Sequence, residues 1–284
     1  MPELVTRWHE VERLGLDSLW IADHLGSGYR PDWPWFEGWT CLAAMARETT
    51  RIRIGTLVAS ITLRAPALMA KHAVTVDHLS GGRLELGIGA AGAELDHELL
   101  GERPWAPRER TERFREYVEA LDRLLRGERA YAGRYYRISD AQLEPPPLQS
   151  PRPPLTLAAW SPRNVRLVAE RGDGWNTMGG RGLSAEQGLD AVREQSELLD
   201  EACAEVERDP ASVRRSLLLH ELWIAEEPFA SESAFRDFVE RYREVGIDEF
   251  VFYYPPEEWG RTTRVEPGLF ERLAAEVMPA MRGA

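Results

Sequence analysis

Segments of helical and strand periodicity alternate along almost the whole chain, and this alternation limits the fold more than any single residue does. Leu4, Trp8, Val11 and Leu14 recur at helical spacing, and Gly15 stops that helix before a strand predicted at Ser18–Ile21. A helix over Thr40–Glu48 precedes a strand Ile52–Val58, and a helix over Pro66–Leu79 precedes a strand Arg83–Ile88. Phe114, Tyr117, Val118, Leu121, Leu124 and Leu125 mark a strongly amphipathic helix. The proline-rich stretch Glu144–Pro154 cannot be regular structure, because proline donates no backbone hydrogen bond. Beyond it come a strand Leu155–Ala159, a helix Arg163–Arg171, a strand Trp175–Thr177 and a helix from about Ser184 to Arg208. A strand Ser216–Ile224, a helix lined by Phe235, Phe238, Val239 and Tyr242, a strand Glu249–Tyr253 and a last helix marked by Leu269, Leu273 and Val277 complete the series. Parallel neighbours need a crossover, usually a helix, so strands separated in this way predict a parallel α/β sheet. No low-complexity boundary divides them, which predicts one domain over 1–284 with a proline-rich insertion at about 128–154.

A (β/α)8 barrel runs to roughly 250 residues, so a chain of 284 is long enough for one, and the seven strands above are one short of eight. The formal net charge of -12 argues against nucleic acid or an anionic membrane as partner, since phosphate binding needs clustered Lys and Arg. Cys41 and Cys203 have neither metal nor redox spacing, which gives no disulfide framework and an expected cytoplasmic location. Met1–Arg13 is amphipathic rather than a targeting segment, and no apolar run reaches the roughly 20 residues that span a bilayer. Lys71 is the sole lysine, a bias that reads as coding composition rather than function.

Within this frame, Val74–Gly92 ends a helix, turns on Ser80-Gly81-Gly82, runs a buried strand and opens into a glycine-alanine loop where a cofactor is expected. Gly87-Ile88-Gly89-Ala90-Ala91-Gly92 also fits the dinucleotide fingerprint Gly-x-Gly-x-x-Gly. That fingerprint requires a helix to open within the motif. Here Glu94, Asp96, His97, Glu98, Pro104 and Pro107 follow, and the strand is the third rather than the first, so a NAD-type domain is disfavoured. Asp23-His24 follows a strand, which in a barrel puts both at the mouth. An imidazole with a pKa near 6.5 exchanges protons at neutral pH, and an adjacent carboxylate can orient it or hold a cofactor edge; the bland alternative is a solvated histidine. Ser161 or Pro162 can begin a helix whose N–H groups suit an anion. Trp33, Trp35 and Trp39 crowd the loop after His24 as an apolar lid, a substrate pocket or plain packing against the core. The remaining histidines show no ligand spacing, so no metal is expected.

Four ordered segments, Leu14–His24, His78–Gly89, Gly133-Arg134-Tyr135-Tyr136 and Arg171-Gly172-Asp173-Gly174-Trp175, resemble the bacterial luciferase-like monooxygenase superfamily, in particular its coenzyme F420 branch. The resemblance implies a (β/α)8 barrel with flavin or deazaflavin across the carboxyl ends of the strands. It makes His24 the active-site acid or base and puts Asp23 near the ring. Leu57, Val58 and Ser60 would form a bulge, often with a strained peptide, behind the ring, against a plain packing role for Leu57 and Val58. Gly89 and Ala90 would be small because a ring leaves no room for a β-carbon. Ala158, Ala159, Trp160 and Ser161 would meet the cofactor phosphate, although relatives usually carry two glycines where Trp160 and Ser161 stand. Members also begin with a strand before the first helix, and here Met1 opens into the helix. Either the recorded start lies downstream of the real one, or the barrel is open and its edges favour a partner surface or homodimer.

The expected function is an oxidoreductase passing a hydride between coenzyme F420 and a small organic substrate, with His24 managing the proton. An FMN-dependent monooxygenase using oxygen is the first alternative, and a non-catalytic or degenerate barrel subunit the second.

Overall fold

The computed structural model describes residues 1–28, 32–220, 222–256, 265–266 and 268–282. Two compact units are formed, Met1–His9 with Asp17–Ala158 and Glu10–Leu16 with Ala159–Ala284. Helix α1 (Pro2–Arg13) ends as expected, just before Gly15 turns the chain at φ +81.

In the first unit β1 (Ser18–Asp23), β2 (Arg53–Ser60), β3 (Leu84–Gly89) and β6 (Leu155–Ala158) pair in that order, all parallel. The crossovers carry α2 (Gly38–Glu48), α3 (Pro66–Ser80), α4 (Glu94–Leu99) and α5 (Pro107–Leu125). Helix α3 starts on Pro66 and stops where Gly81, at φ +69, returns its N–H to the last turn. Every residue of β3 is buried, and its one charged side chain, Glu85, is paired with Arg53. The β2–β3 register slips between Thr56 and Ala59, where the Leu57–Val58 peptide is cis. Beside this bulge β2 and β3 pack closely. A β-carbon on Gly87 would stand 2.0 Å from the Thr56 carbonyl oxygen, and one on Gly89 2.3 Å from Val58 Cγ2. The glycines of β3 therefore have a neighbouring strand to account for them, beside the bound ring that the resemblance implies.

Side chains tie the loops of this unit down. Arg83 donates to the carbonyls of Ala46, Thr49, Ile52 and Ser80 and to the Thr49 hydroxyl, at 2.7–2.9 Å, knitting the ends of α2 and α3 to the start of β3. The proline-rich segment is irregular, as expected, and is held from outside. The buried Asp77 carboxylate accepts from Leu148 N, Gln149 N and Gln149 Nε2, and Arg152 makes a buried ion pair with Asp122 at 2.5 Å. Within the anticipated insertion a small antiparallel hairpin, β4 (Tyr131–Ala132) and β5 (Arg137–Ile138), folds on itself.

In the second unit β7 (Gly174–Thr177), β9 (Arg214–Leu218) and β11 (Glu249–Val251) pair in parallel, with helix α6 (Pro162–Arg171) ahead of β7 and helices α7 (Ala185–Glu205) and α8 (Glu232–Glu244) between the strands in the chain. Ser184 and Gln187 form a capping box at the start of α7. The strand expected over Ser216–Ile224 is broken. His220 turns the chain by accepting Leu222 N on Nδ1 at 3.0 Å, and β10 (Ile224–Ala225) pairs instead with β8 (Leu183–Ser184). The last helix runs as α9 (Leu269–Arg272), a π turn Leu273–Val277 and α10 (Met278–Met281).

Candidate active site

Consecutive strand residues point to opposite sides, and Asp23 and His24 diverge accordingly. Asp23, the last residue of β1, is 1% exposed and faces α2 closely enough that a β-carbon on Gly38 would stand 2.8 Å from its Oδ1. Its Oδ2 accepts from Arg64 Nη1 at 2.5 Å, while Oδ1 is buried without a partner. Burial pushes the Asp23 carboxyl above its usual range, against the opposing pull of Arg64. The other arm of Arg64 grips Glu37. That carboxylate also caps α2 by accepting Trp39 N at 3.1 Å and Thr40 N at 2.7 Å. Burial alone would raise the pKa of Glu37, but these donors and Arg64 outweigh it and hold the carboxyl below its usual range.

His24 turns the other way, toward α4. Its Nδ1 lies 2.7 Å from Oδ2 of Asp96, whose Oδ1 accepts Leu25 N at 2.8 Å. A carboxylate can only accept, so Nδ1 carries the proton and Nε2 is left to exchange one. The ring is part-exposed, whereas Asp96 is buried. Trp35 donates from Nε1 to the His24 carbonyl at 2.7 Å, fixing the backbone of the same residue. The carboxylate that orients His24 is thus Asp96, not the adjacent Asp23. Helix α4, which supplies it, corrects the reading of 94–98 as non-helical.

Of the other anticipated residues, Leu57 and Val58 lie on the β2 bulge, Ser60 ends β2 paired with Gly89, and Gly89 and Ala90 stand at the end of β3 beside it. Trp33 and Trp35 are half-buried in the loop. Trp39 is not a loop residue: it is buried in the first turn of α2, with its ring centroid 5.4 Å from that of His72. Burial, then Arg64, pushes the His72 imidazole down. Ala158 ends β6. In the second unit, Ala159 is buried with its carbonyl accepting from Trp175 Nε1 at 2.7 Å. Ser161 stands at the N-cap of α6 with no side-chain bond to the helix. Trp160 is 46% exposed and tilts against Trp223, centroids 5.2 Å apart.

Arg110 went unnoticed in the sequence. It sits in the first turn of α5, with Nη1 3.9 Å from where a Gly92 β-carbon would be, in the loop after β3. Five arginines, Arg13, Arg47, Arg137, Arg163 and Arg181, are exposed with no hydrogen bond or ion pair from the side chain among the described residues. Arg110 is the one part-buried arginine in the same condition. Ala91, in that loop, takes a left-handed φ of 58.

These features define an α/β protein of parallel strands with a carboxylate-oriented imidazole at a strand's carboxyl end. The chain belongs to the luciferase-like monooxygenase family, whose model matches residues 1–276. Among the described residues, seven principal parallel strands, four in one unit and three in the other, are one fewer than a (β/α)8 barrel has. An F420-dependent glucose-6-phosphate dehydrogenase of Amycolatopsis mediterranei is 31% identical over 72% of this chain and 62% of its own length. The same-named protein of Beutenbergia cavernae is 30% identical over 96% and 91%. A 4-hydroxyprotoasukamycin monooxygenase of Streptomyces nodosus subsp. asukaensis is 32% identical over 57% and 43%. The chain therefore spans less than two thirds of the length of the first and third of these relatives. Among solved structures, the coenzyme F420-dependent tetrahydromethanopterin reductase of Methanopyrus kandleri matches 99% of this chain and 96% of its own with a TM-score of 0.76 at 17% identity. A long-chain alkane monooxygenase matches 98% and 83% with a TM-score of 0.75 at 15% identity. Both share the fold.

Proposed function

We propose that this chain is an oxidoreductase that passes a hydride between coenzyme F420 and a small organic substrate. The observation that carries the reading is the His24–Asp96 pair at the carboxyl end of β1. The donor set suits the coenzyme: a part-buried guanidinium without a counter-charge among the described residues, Arg110, fits an anionic group, and a part-exposed imidazole fits proton exchange next to a redox ring. When bound, the deazaflavin supplies the hydride chemistry. His24 holds or releases the coupled proton at Nε2. Asp96 fixes the tautomer and stabilises the charged ring, and Trp35 keeps the backbone in place. The exposed apolar side chains of Leu25 and Phe36 beside it favour a small, partly apolar substrate and help to exclude water. Among the described residues no helix is long and apolar enough to cross a membrane; a cytoplasmic setting and a homodimer complete the reading.

The relative named as a monooxygenase supports a second reading, an FMN-dependent enzyme using oxygen. Titration of the protein with F420, FMN and NADPH, followed by tryptophan fluorescence, separates the two. Saturable quenching by F420 is expected. Binding of FMN alone transfers the assignment to the monooxygenase, and binding of none favours a non-catalytic subunit.

A further inference from the structure

The Gly133-Arg134-Tyr135-Tyr136 turn joins β4 to β5, and its geometry is set by one carboxylate. Glu116 of α5 accepts the backbone N–H groups of Arg134 at 3.0 Å, Tyr135 at 2.8 Å and Tyr136 at 2.6 Å. A β-carbon on Gly133 would stand 2.1 Å from Glu116 Oε1, so a side chain there would displace the carboxylate that holds the turn. From this turn a continuous stack runs toward His24. The Arg113 guanidinium lies between two rings, 4.4 Å from the centroid of Tyr135 and 4.6 Å from that of Trp105. It is held there by Glu109 at 3.0 Å. Trp105 in turn meets His97 edge-on, centroids 5.0 Å apart.

His97 is buried, and neither ring nitrogen has a hydrogen-bond partner among the described residues. Packing is what fixes its ring, and Trp105 is the aromatic face it packs on. The residue before it in α4 is Asp96. Any rotation of the short α4 helix that moved His97 off Trp105 would swing the Asp96 carboxylate away from both His24 and Leu25.

We propose that the Gly133–Tyr136 turn acts through Tyr135, Arg113 and Trp105 as a positioning device for the Asp96–His24 pair. These are positioning residues, since none of them touches His24. The proposal rests on the reading of His24 as the proton-handling group, but its test does not require turnover.

The test follows the His24 Nδ1 proton by NMR in the full chain, where its bond to buried Asp96 gives a downfield, slowly exchanging signal that Asp96→Asn removes. Arg113→Met and Tyr135→Leu are expected to speed its exchange by about tenfold, the size of coupling that packed networks carry. Arg113→Lys, which keeps a cation between the rings, is expected to retain slow exchange, and so is the surface variant Arg193→Met on α7 of the second unit. The same two disruptive variants are expected to lower kcat with KM unchanged. Unchanged exchange in Arg113→Met and Tyr135→Leu overturns the proposal, as does equal acceleration in Arg193→Met. Altered exchange with unaltered kcat upholds the coupling and instead counts against His24 as the proton-handling group.

Discussion

Asp96 Oδ2 and His24 Nδ1 meet at 2.7 Å across 72 residues of sequence, from the first turn of α4 to the residue just past β1. The carboxylate is buried and also holds the backbone N–H of Leu25, so imidazole and loop are positioned by one group. His24→Ala is expected to lower turnover by about 10²–10⁴-fold, the range for losing a general acid–base group, with little change in F420 affinity. Asp96→Asn is expected to lower kcat as well, because the amide supports the wrong tautomer as readily as the right one. Steady-state kinetics beside fluorescence titration of the coenzyme check both, and collapsed binding with intact turnover would remove the base assignment.

Among the described residues Arg110 has no counter-charge to lose. Arg110→Met is therefore expected to leave the melting temperature of the coenzyme-free protein nearly unchanged. It should weaken binding of an anionic coenzyme by roughly ten- to a hundredfold, the worth of one hydrogen bond to a charged group. A binding isotherm and a thermal melt on the same sample decide it.

Asp23 and Asp122 are both buried carboxyls beside arginines, yet their stability should respond to acid in opposite senses. Burial dominates at Asp23 and raises it, so its contribution is fullest below the model-compound value of 3.8 and is lost as pH rises through its folded pKa. At Asp122 burial also raises, but hydrogen bonds from Arg152 and Arg126 prevail and lower it. Its contribution is present above 3.8 and lost as pH falls through the folded value. Melting temperatures across acidic pH should show Asp23→Asn gaining on the parent as pH rises, and Asp122→Asn losing ground over the same interval.

Gly87→Ala and Gly89→Ala should not cost the same. At Gly89 the obstacle is the Val58 side chain, whereas at Gly87 it is the Thr56 carbonyl, a backbone atom. Overpacking typically costs about 1–3 kcal/mol, and Gly87→Ala is expected to lie at or above the top of that range with Gly89→Ala below it. Urea denaturation measures the difference.

The elements were legible where a local signal exists. Gly15 and Gly81 stop α1 and α3, Pro66 starts α3, and the apolar stripe from Phe114 to Leu125 belongs to α5. Helix α2 begins at Gly38, two residues ahead of the expectation, because Glu37, not a usual capping residue, closes its first turn, and this moves Trp39 from loop to core. The site was half legible. A histidine after a strand is visible in sequence, but nothing local ties it to Asp96, which lies in a six-residue helix too short to show a period. Asp23 misled because adjacency in sequence is opposition in a strand. Arg110 could have been found only by knowing which arginines are neutralised by neighbours distant in the chain.

The proline-rich return is fastened at its far end, through Leu148, Gln149 and Arg152, to the acids of α3 and α5. Between the β4–β5 hairpin and those fastenings, the stretch from 139 to 147 is itself tied down, by Ala141 N donating to the Arg129 carbonyl at 2.7 Å and by the Pro146 carbonyl 2.8 Å from His78 Nε2. Evolution therefore has more freedom to exchange the side chains between those ties than to change the length of the stretch, while the frame that holds His24 stays as it is.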